Sequence, residues 1–392
     1  MATLLLLVIF TAYVGLGVPD SLFGSAWPAI CESFGISQSS AWMITTPISC
    51  CTLFSSIISA KLIEKFGTKW VAIISTFITA VALFGMSFAP NPWIMVLFGV
   101  PLGFGGGAID SGLNNYVALH YKASHMNYLH CFYGVGVAIS PYIMSLALSF
   151  TTWRNGYRYA SYLQLIIALV ALLSIPLWKV HQNDPTGNLI KEENYASYKD
   201  LLKNKMLFPV CLILLLACAI EVTAGTWATT YFVSVKGATK SQGAFLLMFY
   251  YAGLALGRFF SGLLSSKLSL NALNGLGMTI VGVGVVAVII PVNFIYLSVI
   301  GLFFIGLGIG PIYPNFSFLT PRLFGENASQ KAMGLQMTGA FIGILIAPTL
   351  MGALSSVWGM EIFPLFNAVL LGLLVLSYII YLRIFHKNGQ IQ

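Results

Sequence analysis

Residues Leu102 to Pro141 read LGFGGGAIDSGLNNYVALHYKASHMNYLHCFYGVGVAISP, and this stretch decides the fold. It predicts two membrane helices folded back on each other around a short polar turn near His120–Ser124. Asp110, Asn114, Asn127 and His130 fall inside otherwise apolar or small-residue helices. A carboxylate at membrane depth costs roughly 2.5–3.5 kcal/mol on insertion scales, which makes an intramembrane acid a functional candidate. Asp110 and Asn114 share one helix face, and Asn127, His130 and Gly134 share a face of the next. Counted from the turn at helical rise, Asp110 and His130 lie at similar depth, about 12–18 Å away. Two facing polar stripes then line one cavity. The competing reading is that the amides only bind helix to helix and Asp110 pairs locally.

Composition extends this reading to the whole chain. Of 392 residues, 58% are hydrophobic and 8% charged, with mean hydropathy +0.88. Soluble proteins average about 25% charged residues, so an all-α polytopic membrane protein is expected. The formal charge of +8 is spread over loops, with no basic patch interleaved with aromatics, which argues against a nucleic-acid partner. The six cysteines show neither metal-ligand nor disulfide spacing. Met1 to Val18 lacks a basic start and leads into more apolar sequence, so it is expected to be a spanning helix and not a cleaved signal.

Runs long enough to cross a bilayer about 30 Å thick occur twelve times. The first six are Thr3–Phe23, Ala41–Ile63, Val71–Phe88, Trp93–Leu119, Asn127–Phe150 and Tyr159–Trp178. The second six are Leu207–Val233, Ala244–Leu264, Ala272–Val292, Phe294–Leu319, Ala332–Val357 and Ile362–Phe385. With both termini cytoplasmic, the outer loops hold only Arg154, Arg158, Lys236 and Lys240. Apart from Arg258, inside the eighth span, the other basic residues fall in inner loops and termini, as the positive-inside rule requires. Val180–Met206 is polar and is expected to be a cytoplasmic linker between two halves, residues 1–179 and 207–392. The halves repeat weakly at a shared offset. Leu102–Asp110 lies over Ile305–Tyr313, Gly134–Pro141 over Gly339–Pro348, and Asp20 over Glu221. Two like-oriented halves with a site at their interface is the pattern of a rocker-type secondary transporter.

Between spans two and three stands Ala60-Lys61-Leu62-Ile63-Glu64-Lys65-Phe66-Gly67-Thr68-Lys69. It resembles the loop signature of the major facilitator superfamily, with Ala60 in place of Gly, Glu64 of Asp, Lys65 of Arg and Thr68 of Arg. The resemblance implies the twelve-helix fold and an inner-gate role for Glu64, Lys65, Gly67 and Lys69. Gly17–Leu22, Gly105–Asn115 and Met126–His130 are similar to the fucose permease-like branch of that superfamily, which contains proton-coupled sugar symporters. That similarity implies acids in helices one and four, here Asp20 and Asp110. It also implies a polar stripe in helix five, onto which Asn127, His130 and Tyr133 fall.

The second half adds Glu221 and Arg258 at membrane depth. A buried arginine stays charged and needs an acid; Glu221 is nearest by helix order, with the cavity acids as alternatives, and such a pair serves as a structural clamp as readily as in coupling. Aromatics such as Tyr133, Trp227, Tyr231, Tyr250, Tyr251 and Tyr313 suit the CH-rich face of a sugar, although most membrane tyrosines only pack. The glycine runs at 103–107 and 306–310 lack the Lys-Ser/Thr ending of a phosphate loop. They let helices approach closely instead. The expectation is a plasma-membrane permease, not an enzyme, moving a small polar solute of monosaccharide type by proton-coupled alternating access. No cofactor beyond the coupling proton and no obligate protein partner is expected. A proton-antiporting efflux permease for amphiphilic compounds is the alternative, and a transporter-like sensor without flux a third.

Overall fold

Twelve helices long and apolar enough to cross a membrane organise the computed structural model of the chain. It describes residues 2–121, 123–181, 198–290, 292 and 294–387; within these ranges some side chains, including those of Glu64 and Asn127, lie outside the description. The first six spans are α1 (Ala2–Phe34), α2 (Trp42–Phe66), α3 (Thr68–Met86), α4 (Pro92–His120), α5 (Ala123–Phe150) and α6 (Trp153–Leu173). A short helix α7 (Tyr198–Lys203) precedes α8 (Leu207–Ser234), α9 (Lys240–Leu264) and α10 (Leu270–Ile289). The tenth span is divided into α11 (Ile295–Ile309) and α12 (Ile312–Phe324), and α13 (Glu326–Trp358) and α14 (Phe363–Lys387) complete the set. No strand occurs among the described residues. Residues 182–197 of the expected linker lie outside the description.

Local sequence explains most boundaries. Asn91 accepts the Ile94 N–H at 3.1 Å and caps α4. Thr239 and Gln242 form a reciprocal capping box on α9. Gly67 turns the chain between α2 and α3 at φ +78°, its N–H donating to the Ile63 carbonyl at 2.7 Å. Two expectations change. The first span continues past Phe23 to Phe34, because Ala26, Trp27 and Ile30 are wholly buried in protein. The tenth span breaks at Gly310–Pro311. Pro311 and Pro314 have no N–H to give the carbonyls of Leu307 and Gly310, four residues earlier, so the ladder fails there.

Packing between the first six and last six spans differs at the two faces of the bundle. At the face opposite the chain termini, one apolar cluster runs across both sets, from Leu22, Trp27 and Ile44 to Trp227, Phe232 and Met351. Lys240 pairs there with Glu32. Ser241 donates to the Ser145 carbonyl at 3.0 Å, and Ser234 to Gln38 at 3.3 Å. Deeper in the bundle, the Gly24 and Gly225 backbones touch, leaving no room for a Cβ on Gly24. Towards the terminal face there are instead two separate clusters. Leu5, Ile9 and Phe10 pack with Leu113, Val117 and Trp178, whereas Leu201 and Leu207 pack with Ala328 and Ala332. The described residues therefore close one face and leave the two sets unjoined by apolar packing at the other.

Candidate functional site

The polar groups collect midway between the faces, where the two sets meet. On α1, Pro19 interrupts the helix ladder and Asp20 follows it. The Asp20 side chain is exposed although residues 21–31 after it are buried. An exposed carboxylate in the middle of a spanning helix faces the space between helices, not solvent beyond the membrane. Its Oδ2 accepts the Tyr133 hydroxyl at 2.7 Å. Small residues make that reach possible. A Cβ on Gly17 would lie 2.8 Å from the Val137 nitrogen, and one on Gly136 would overlap the Val14 carbonyl, so α1 and α5 touch backbone to backbone.

Asp110 on α4 is half-buried. Asn114, one turn on, donates to its Oδ1 at 2.9 Å, as helical spacing required. Tyr13 of α1 donates to the same oxygen at 3.1 Å and reaches the Asp110 carbonyl at 3.2 Å. His130 meets Tyr13 edge to face at 6.0 Å, so the phenol stands between imidazole and acid. Tyr13 was missed in the sequence, although it shares a helix face with Gly17 and Asp20 at i, i+4 and i+7. The Asn127 side chain lies outside the described residues.

From the second set, Arg258 brings an Nη2 within 3.1 and 3.3 Å of the two Glu221 carboxylate oxygens. Its Nε donates at 3.2 Å to the Gly310 carbonyl, the group left without a helical donor by Pro314. Tyr250 donates to the Glu221 carbonyl at 3.0 Å. The Arg258 guanidinium lies over the Tyr133 ring at 5.5 Å, so the two sets meet face to charge. Tyr313 stands at the start of α12, just past the break at Gly310–Pro311.

Other expected residues sit elsewhere. Trp227 is 1% exposed and donates to the Pro348 carbonyl at 2.9 Å, within the closed face. Lys65 lies over the Phe66 ring at 5.3 Å, and neither Lys65 nor Lys69 forms an ion pair among the described residues. The Glu64 side chain lies outside them. No group of metal-ligating side chains occurs among the described residues.

Two carboxylates without a cation partner among the described residues, and one internal ion pair, lie where the two six-helix sets meet. The chain has relatives. It is 22% identical, over 97% of its length and 82% of theirs, to bypass of stop codon protein 6 of Saccharomyces cerevisiae. It is 25% identical to the probable nitrate transporter NarT of Staphylococcus epidermidis, over 81% of this chain and 80% of that one. A third relative, the MFS-type transporter dmxR4 of Cryptosporiopsis, is 24% identical over 58% of this chain and 40% of its own. The profile of the Major Facilitator Superfamily matches residues 5–329 and, in a second match, 237–390. This multi-pass membrane protein is a member of the major facilitator superfamily of transporters.

Proposed function

We propose that the chain carries a neutral, hydroxyl-bearing solute of monosaccharide class across the plasma membrane in symport with protons. The observation that carries this reading is the pair Asp20 and Asp110. Each is held by a tyrosine hydroxyl, and neither is paired with a cation among the described residues. Such acids must be neutralised before the carrier can turn cheaply, and a proton does this. Tyr133 and Tyr313 beside them offer ring faces and hydroxyls suited to a sugar. The similarity of helices one, four and five to the fucose permease-like branch is consistent with this solute class.

Relatives named as probable nitrate transporters raise an anion as a second reading. The site argues against it. Asp20, Asp110 and Glu221 set three acids against Arg258, which already answers Glu221. Proteoliposomes loaded and challenged with pH gradients of each sign test the proposal, using labelled monosaccharides and nitrate. Monosaccharide accumulation towards the alkaline side is expected. Accumulation of nitrate instead would refute the solute class, and extrusion driven by proton entry would favour the efflux alternative.

In the orientation set by the lysines and arginines, both termini and residues 180–206 are cytoplasmic. On this reading the closed face is the external one. A cysteine introduced within residues 182–197 should escape a membrane-impermeant maleimide on intact cells. Strong labelling would reverse the orientation.

A further inference from the structure

Tyr133 touches both halves of the charged site at once. Its hydroxyl donates to Asp20 on α1, and its ring face carries Arg258 of α9. Arg258 is fixed on its other edges by Glu221 and by the Gly310 carbonyl, and its Nη1 has no hydrogen-bond partner. The ring therefore compensates the remaining side of that guanidinium. The arrangement needs α5 and α9 in close contact. A Cβ on Gly134 would lie 2.7 Å from the Ala255 Cβ, so the glycine beside Tyr133 admits the turn of α9 that leads to Arg258.

We infer that Tyr133 is the positioning residue that passes the ionisation state of Asp20 from the first six helices to the last six. The inference rests on the proton-coupled reading above. The titratable and charged groups facing Asp20 come from each neighbour: Asp110 of α4 and Glu221 of α8, Tyr251 of α9 and Tyr133 of α5, with Arg258 of α9 on the Tyr133 ring. While Asp20 is ionised, the Tyr133 hydroxyl is held by a charge-assisted bond, about twice as strong as a neutral one. The ring then stays beneath Arg258 and ties α1, α5 and α9 together in the form closed at the face opposite the termini. A proton on Asp20 removes the charge from that bond, frees the ring, and weakens the closed form relative to its alternative.

The test needs no identified solute. In a background with the six native cysteines replaced, spin labels are placed at Phe150 and Val357, exposed ends of α5 and α13 at the closed face. Their separation is measured by pulsed electron resonance in lipid nanodiscs at about pH 5 and about pH 8. The ratio of long to short separations should rise about tenfold on acidification, the order expected from losing one charge-assisted bond. Tyr133→Phe keeps the ring and its packing but lacks the hydroxyl, and should abolish that response. Asp20→Asn, permanently neutral, should show the acid-form distribution at both pH values. A Tyr133→Phe protein that still responds in full overturns the inference while leaving proton coupling intact. A parent that shows no response, or the opposite one, overturns the inference and counts against coupling through Asp20 as well.

Discussion

Replacing Asp110 by Asn is expected to abolish proton-driven accumulation while leaving solute exchange in place. The Tyr13 and Asn114 bonds both fall on Oδ1, so an amide oxygen can accept them unchanged. The other oxygen becomes an amide nitrogen that cannot take a proton at physiological pH. Exchange of solute for solute moves no net proton and should continue near the parental rate. Accumulation should collapse towards unity, where one proton moving down about one pH unit would sustain about tenfold, or about 1.4 kcal/mol. The measurement is uptake against entrance counterflow in the same proteoliposomes. If the Asn variant concentrates solute as well as the parent does, Asp110 takes no part in coupling. Asp20, exposed beside Pro19, then carries it alone.

Arg258→Ala should be the most damaging single change to stability, at about 3–5 kcal/mol. It strands the Glu221 carboxylate, which loses its contacts at 3.1 and 3.3 Å. It also strands the Gly310 carbonyl, which Pro314 cannot serve. Glu221→Gln combined with Arg258→Ala removes both charges and should recover a large part of the loss, with the Gly310 carbonyl accounting for the remainder. Unfolding in mixed detergent micelles, run as a double-mutant cycle, measures the coupling between the two positions. Effects that simply add would show that the pair contributes nothing to folding. Because coupling is read from the cycle and not from a single variant, a poorly expressed Arg258→Ala can be replaced by Arg258→Met without altering the argument.

The amino-acid sequence alone determined the twelve spans, because crossing a bilayer demands a long apolar run and that is a local property. It also determined that Asp110 and Asn114 share a face, since helical period is local. That Arg258 must find an acid was legible from charge, and helix order put Glu221 first, but only the structure chose it over the cavity acids. The break at Gly310–Pro311 was written in Pro311 and Pro314, yet the apolar run around them masked it. Tertiary structure decided the rest. It placed Trp227 in the closed face against Pro348, brought Tyr13 to Asp110, and laid Tyr133 between Asp20 and Arg258. None of these meetings follows from the period of a single helix. They depend on how closely two backbones approach, and Gly17, Gly134 and Gly136 admit Val137, Ala255 and Val14 where a Cβ would collide. The closed face has the same origin. Gly24 meets Gly225 through rigid packing of one six-helix set on the other, and each set reads alike in sequence whichever face is shut.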